Sequence, residues 1–293
     1  MADIYLGGTD LASADLKIGS TDVDKAYLGS TEVWSSAPAF DADAQAFITA
    51  TGITGTDATA VNTLVVDLKA ANIWTLFDAI YPMVGGTATT CKYNLKDPQD
   101  TDAAHRIVFN NSWTFSSTGA DPTGNAWADC NYIVNANNMT QNSNHLSYYV
   151  RTTGQGVCIG HNYGTRMWFT PNYNGNVGYA PQQTNSATQI QRTSLPTDMR
   201  KFWVSSRIAS NQSKFFANGT LETTLNNGSS GLQPAGIILN DRSTNNSSPP
   251  SPNGNYFGGE CAFASMGQGL SDAQVSSFST AVIDFQTTLG RVI

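Results

Sequence analysis

Charge is the scarcest property of this chain. Only 13% of its 293 residues are Asp, Glu, Lys or Arg, about half the share usual in soluble domains. The 15 Lys and Arg are scattered and outnumbered by 22 Asp and Glu, for a net charge of −7. Phosphate affinity is built from clustered basic side chains, so nucleic acid is excluded as a partner. No apolar run approaches the about 18 residues that mark a membrane-spanning helix, and the start Met1-Ala2-Asp3 lacks the basic end and apolar stretch of an export signal. Neither membrane insertion nor ordinary export is expected. The four cysteines, Cys91, Cys130, Cys158 and Cys261, lie far apart, with no C-x-x-C and no zinc spacing. They read as reduced structural thiols of a protein made in a cytoplasm. Three histidines, His105, His145 and His161, without a Gly-x-Ser-x-Gly elbow, leave no Ser-His-Asp machinery. Each is expected to be a hydrogen-bonded strand or loop residue.

Core-forming residues are plentiful. Apolar residues make up 40% and aromatics 10%, and roughly one third of the chain is left to Ser, Thr, Asn and Gln. That balance excludes global disorder. A polar surface with little charge suits an outward-facing recognition protein.

The first 34 residues repeat. Tyr5-Leu6-Gly7-Gly8-Thr9-Asp10 is echoed by Lys17-Ile18-Gly19-Ser20-Thr21-Asp22, and again by Tyr27-Leu28-Gly29-Ser30-Thr31-Glu32-Val33-Trp34. A short apolar strand, a glycine turn and a second strand spell a β-hairpin. Units this small cannot enclose a core, so residues 1–34 are expected to be an arm for attachment and oligomerisation. Its strand residues Tyr5, Leu6, Ile18, Tyr27, Leu28, Val33 and Trp34 are the expected contacts with a partner chain.

After a linker from Ser35, the apolar period changes to three and four. A first helix is predicted from Asp41 or Asp43 through Ala44, Phe47 and Ile48 to Gly52. A second is predicted from Thr56 or Asp57 through Val61, Leu64, Val65, Leu68, Trp74, Phe77 and Ile80, stopped by Pro82. This helical element, about 41–81, is expected to cover one flank of a β domain that begins near residue 84. From there short apolar runs alternate with Asn-, Gly- and Pro-rich turns, the pattern of a two-sheet sandwich. Asn218-Gly219 marks a tight hairpin. Ser243 to Asn255 reads as an exposed, mobile loop. Ser271-Asp272 opens a C-terminal helix carrying Val275, Phe278, Val282, Phe285 and Leu289, ended by Gly290.

Two groups of motifs carry a resemblance. The W-x-x-x-R strand (Trp203 to Arg207), the Asn218-Gly219 hairpin, and Gly258-Gly259-Glu260 leading into G-L-S-D-A-Q-V (Gly269 to Val275) resemble the end of a concanavalin-like, laminin-G-type jelly roll. The stretches Tyr27 to Trp34, Val61 to Trp74, Tyr93 to Phe109 and Ala281 to Arg291 resemble virion structural proteins of tailed bacteriophages, fibre-like and appendage proteins of crAss-like phages among them. The resemblance implies a mainly β chain: a small N-terminal arm (1–34), a linker and helical element (35–83), and a concanavalin-like jelly-roll sandwich with a C-terminal helix (84–293). It implies an exposed fibre, tail or head appendage, assembled in the host bacterial cytoplasm and located on the virion. The expected partners are further copies of the chain, most simply a homotrimer, and other virion proteins through residues 1–34.

Concanavalin-like folds also house glycoside hydrolases, which need paired carboxylates. No Glu-x-Asp-x-Glu occurs, and Glu222 and Glu260 have no acid near them in sequence. No residue is assigned a catalytic role and no enzyme is expected. Asp121, Asp129 and Asp241 lack the fixed spacing of a calcium loop, so no metal and no cofactor is expected. Glycan binding needs aromatic faces for C–H surfaces, with amides and hydroxyls for sugar hydroxyls. The stretches 161–168 and 172–179 supply both, with Tyr163, Trp168, Asn172, Tyr173, Asn174 and Tyr179 as the candidate residues for host-surface polysaccharide. The competing role is capsid decoration or a scaffold without ligand, and a glycan-degrading enzyme stands behind both.

Overall fold

The computed structural model describes residues 5–6, 9–10, 17–18, 21–22, 25–28, 30–35, 40–173, 177–179, 182–184, 198–226 and 228–293. The chain divides into two compact units, Met1–Phe40 and Asp41–Ile293. In the first, β1 (Tyr5–Leu6) pairs with β2 (Thr9–Asp10), β3 (Lys17–Ile18) with β4 (Thr21–Asp22), and β5 (Lys25–Leu28) with β6 (Thr31–Ser35). The closing pairs Leu6↔Thr9, Ile18↔Thr21 and Leu28↔Thr31 fall at the same place in each sequence repeat. Each repeat is therefore one hairpin around a two-residue connection, as its sequence predicts.

The second unit opens with α1 (Ala42–Thr51), where the Asp41 side chain accepts from the Asp43 N–H and Gly52 closes the helix at φ 70°. The second helix, α2 (Gly55–Ala70), starts at Thr54; Asp57 does not cap it but accepts from the Gly85 N–H at 3.1 Å. The helix also ends at Ala70, twelve residues before its expected stop at Pro82. Asn72 turns left-handed at φ 55°, its N–H donates to the Lys69 carbonyl, and the Ile73 N–H donates to the Leu68 carbonyl. That is a Schellman ending with Asn in the place usually held by Gly. Phe77 and Ile80, expected on the helix, lie in β7 (Phe77–Tyr81). A spacing of three suits both elements when a strand is buried on its two faces.

After α3 (Ala88–Cys91) come β8 (Val108–Ser116), β9 (Gly119–Ile133), β10 (Asn144–Val150), β11 (Ile159–His161), β12 (Arg166–Tyr173), β13 (Val177–Tyr179) and β14 (Gln182–Thr184). Then follow β15 (Phe202–Ala209), β16 (Gln212–Ala217), β17 (Thr220–Leu225), β18 (Gly236–Leu239), β19 (Cys261–Gly267) and α4 (Asp272–Thr288). The strands form one antiparallel sheet in the order β13-β12-β11-β18-β9-β19-β10-β15-β16-β17, with β14 on β12, β7 on β19 and β8 on β9. Phe169 of β12 nevertheless lies 6.2 Å from Trp203 of β15 and 5.0 Å from Phe215 of β16, ring centre to ring centre. Strands so far apart in the order touch only if the sheet curls back on itself. The fold is thus a mainly β, jelly-roll-type sandwich, closed over Tyr132, Leu146, Tyr148, Ile159, Phe169, Trp203 and Ile237.

The other face of β7, β10, β15 and β19 carries a second core. Phe278 of α4 meets Phe77 at 4.8 Å and Phe202 at 5.0 Å, and Phe285 meets Phe263 at 6.3 Å. The helices therefore cover one face of the sheet, and burial of each such ring stabilises by about 1.5–3 kcal/mol. Local signals build α4: Ser271 and Gln274 form a reciprocal capping box, and Gly290 ends the helix at φ 66°. Asn218 (φ 46°) and Gly219 (φ 79°) make the expected tight turn between Ala217 and Thr220.

The polar loop 243–255 departs from expectation. Its base is hydrogen-bonded shut: the buried Asp241 carboxylate accepts from the N–H groups of Arg242 (2.7 Å), Gly254 (2.6 Å) and Asn255 (3.2 Å). Thr244 N–H donates to Ser251 O, Ser243 is fully buried, and Pro250 is buried against Gly236. The run 246–249 forms its exposed tip, and Thr244, Ser251 and Gly254 are exposed beside it.

Candidate functional site

The β8–β9 hairpin sets three aromatic rings on one sheet face. Phe109 stands opposite Ala128, Trp113 opposite Pro122 and Phe115 opposite Ala120. Small partners across the ladder leave the rings room to meet one another. Phe109 is edge-on to Trp113 at 5.2 Å and to Phe115 at 4.8 Å, and Trp113 stacks on Phe115 at 6.5 Å. All three rest on the rim of the sandwich core and stay half-buried. The Trp113 Nε1–H donates to the Asn110 carbonyl at 3.1 Å, which fixes the indole. Between Asn110 and Ser112 the ladder is irregular, Asn111 takes φ 62°, and its Nδ2 donates to the Asn125 carbonyl at 2.8 Å. Asn111 and Asn125 are exposed at the irregular end of the hairpin, while the exposed Ser112 and Thr114 alternate with Trp113 and Phe115 and face the other side of the strand. An apolar platform with amide side chains at its end offers the apolar and polar groups that a sugar ring needs.

The turn that closes this hairpin leads to a polar cluster. Ser116 and Thr118 share a hydroxyl contact at 2.6 Å, and the Thr118 hydroxyl donates to Glu260 Oε1. Arg151 Nη1 donates to Glu260 Oε2 at 3.1 Å, and the Glu260 N–H donates to Thr152 Oγ1 at 2.8 Å. Glu260 is not without an acid neighbour, as its sequence surroundings implied. Ala120 pairs with Cys261, which brings Asp121 to the same edge, and burial followed by the Glu260 charge raises the Asp121 carboxyl above its usual range. With 5% exposure and both oxygens engaged, Glu260 is a structural carboxylate. Arg151, Thr152 and Thr153 continue into a cleft of about 570 Å³ whose remaining wall is Asp198, Arg200 and Ile293.

The residues picked from sequence do not assemble among the described residues. Trp168 is 1% exposed, with the Arg242 guanidinium 4.6 Å from its ring centre, so it has no face for a sugar. Asn172 is 8% exposed and its amide reaches back to the Gly154 carbonyl. Tyr163 is half-buried, its N–H donating to His161 Nδ1 at 3.4 Å. Tyr173 and Tyr179 are placed in β12 and β13 by their backbones; their side chains, and all of Asn174, lie outside the described residues. So do the side chains of Tyr5, Leu6, Ile18, Tyr27, Leu28, Val33 and Trp34 in the hairpin strands. The platform was within reach of sequence reading: Phe109, Trp113 and Phe115 alternate with Asn and Thr, but they read only as strand residues.

The histidines are structural. His105 holds the Asn131 carbonyl through Nδ1 at 2.9 Å and Asn137 Oδ1 through Nε2 at 3.1 Å. His145, fully buried under α4, donates from Nδ1 to the Gln268 carbonyl, so its Nε2 accepts from Ser265, whose oxygen contacts Ser147 at 2.6 Å. Burial lowers it to about 4, and burial alone lowers His161 to about 3. The four cysteines are free and buried, and burial pushes the Cys91 and Cys261 thiols up to about 12. Such thiols are unreactive. Among the described residues no three His, Cys, Asp or Glu side chains converge as metal ligands, and no helix is long and apolar enough to cross a membrane.

No family model and no curated protein matches the chain. Among solved structures, domain 4 of an extracellular GH43 arabinanase from Geobacillus stearothermophilus, in complex with arabinotriose, is 14% identical with a TM-score of 0.45, over 69% of this chain and 98% of that one. A botulinum neurotoxin type C structure, described as depending on two ganglioside molecules for cell entry, is 12% identical with a TM-score of 0.46, over 75% of this chain and 53% of that one. A mutant Trypanosoma rangeli sialidase with trans-sialidase activity is 9% identical with a TM-score of 0.45, over 77% of this chain and 39% of that one. Likeness at this level assigns no activity to the chain.

Proposed function

We propose that this chain is a structural component of a tailed-phage particle, exposed as a fibre, tail or head appendage, whose jelly roll contributes to attachment by holding host-surface glycans. The observation that carries the glycan reading is the Phe109–Trp113–Phe115 platform, three half-buried rings in mutual contact, with Asn111 and Asn125 exposed at its end. The particle reading is supported by the sequence resemblance and by the three-hairpin arm. Paired strands of two to five residues are marginal alone, which fits an arm that docks on other copies, as a homotrimer, or on other virion proteins. Binding is favoured over hydrolysis because Glu260 has no free face for a substrate.

The test is titration of the protein with host surface polysaccharide, beside Trp113→Ala. Saturable binding that the variant loses supports the reading. Equal binding by both proteins removes the platform, and no binding by either favours capsid decoration without a ligand. Light scattering on the full chain and on one lacking residues 1–34 tests the arm. A trimer that becomes monomeric supports oligomerisation, and two monomers assign the arm to a different virion protein. Localisation by electron microscopy of intact particles tests the place on the virion.

A further inference from the structure

We propose that the cleft beside Arg151 and Arg200 takes the carboxylate-bearing unit of an acidic glycan; this rests on the glycan-binding reading and adds the class of sugar. The cleft, about 570 Å³, is large enough for one or two sugar rings. Its polar wall is built from two guanidinium groups and the hydroxyl residues Thr152 and Thr153. Each guanidinium is held by a carboxylate, Glu260 on Arg151 and the cleft-lining Asp198 on Arg200. Arg151 Nη1 is fixed by Glu260 at 3.1 Å, and Arg200 gives Nε and Nη2 to Asp198 at 3.0 and 2.8 Å.

These contacts leave donors to spare. A guanidinium has five N–H groups; the Arg151 Nε is buried and has no hydrogen-bond partner, and Arg200 Nη1 is not used by Asp198. The Arg200 side chain is 43% exposed and can present its spare N–H to the cleft, and the acceptor that best matches a guanidinium fork is a carboxylate. Lys201 is close enough to act on Asp198, so three cationic side chains, Arg151, Arg200 and Lys201, gather here in a chain whose overall charge is −7. The cleft is also joined to the aromatic platform: Arg151 leads through Glu260, Thr118 and Ser116 to Phe115, the next residue in β8. In this proposal one glycan chain places an apolar ring face on the platform and an acidic unit at the arginines.

The experiment is calorimetric titration of the full chain with trigalacturonate and with 3′-sialyllactose, against neutral lactose and maltotriose, at low and high salt. A carboxylated probe should bind at least tenfold tighter than the neutral ones and weaken with salt. Arg200→Gln should remove that preference and leave neutral binding unchanged. Arg151→Lys, which keeps the charge facing Glu260, should reduce it, with thermal melts showing that both variants fold. Equal affinity for acidic and neutral probes, a preference that survives both substitutions, or no binding of either acidic probe overturns the assignment. Loss of neutral binding in Trp113→Ala judges the platform separately, so each reading can fail alone.

Discussion

The Arg242 guanidinium lies 4.6 Å from the centre of the Trp168 ring, while its Nε donates to Asn253 Oδ1 at 2.7 Å. One side chain thus seals a buried indole and ties the far arm of the polar loop to it. A desolvated cation–π contact and a charged hydrogen bond are each worth about 1–3 kcal/mol. Arg242→Ala is expected to destabilise the protein by about 2 kcal/mol in urea unfolding and to red-shift tryptophan emission as water reaches Trp168.

Trp168 and Trp113 should separate cleanly. Trp168→Ala opens a cavity in a fully buried site and is expected to cost about 3–5 kcal/mol. Trp113→Ala removes a half-buried rim ring, and about 1–2 kcal/mol is the expected loss. Glycan affinity should fall at least tenfold in Trp113→Ala, about 1.4 kcal/mol of binding free energy. Paired melts and titrations check both.

Stability should fall on mild acidification. His145 and His161 are buried and held neutral, with values lowered to about 4 and about 3, against 6.5 when exposed. Below pH 6.5 the unfolded chain takes up protons that the folded chain refuses, so each lowered histidine removes up to about 1.4 kcal/mol per pH unit. The loss from this pair begins near pH 6.5 and continues to about pH 4 for His145 and about pH 3 for His161. Urea unfolding at pH 7.5, 6.0 and 5.0 checks it, and His145→Gln should flatten part of the slope.

Glu260→Gln should act on two neighbours at once. Arg151 loses its ionic partner, with an expected cost of about 1–3 kcal/mol. Asp121, raised by burial and then by the Glu260 charge, should shift down when that charge is removed. Side-chain carboxyl titration by NMR reads the shift.

What could be read in the sequence was local. The Ser271–Gln274 capping box and the Asn218-Gly219 turn need only neighbours along the chain, and both form as expected. The end of α2 is hidden in the sequence because Trp74, Phe77 and Ile80 keep a helical spacing while belonging to a short 3₁₀ turn and a strand buried on both faces. The fifteen-residue β9 went unseen: Gly119, Asp121, Pro122 and Gly124 speak against a strand, and its partners β8, β18 and β19 come from before it and from more than 100 residues after it. Trp168 looked like a binding face because the side chain that covers it, Arg242, lies 74 positions later.

The Asp241 carboxylate has a consequence for how this surface can vary. By gathering the N–H groups of Arg242, Gly254 and Asn255, one buried residue fastens both ends of the loop and uncouples its tip from the core. Lengthening a loop whose ends are already fixed costs only about 0.6 kcal/mol per doubling. Residues 246–249 are therefore a place where new sequence can be accepted without refolding the sandwich, a ready position for diversifying the exterior or for carrying a grafted peptide.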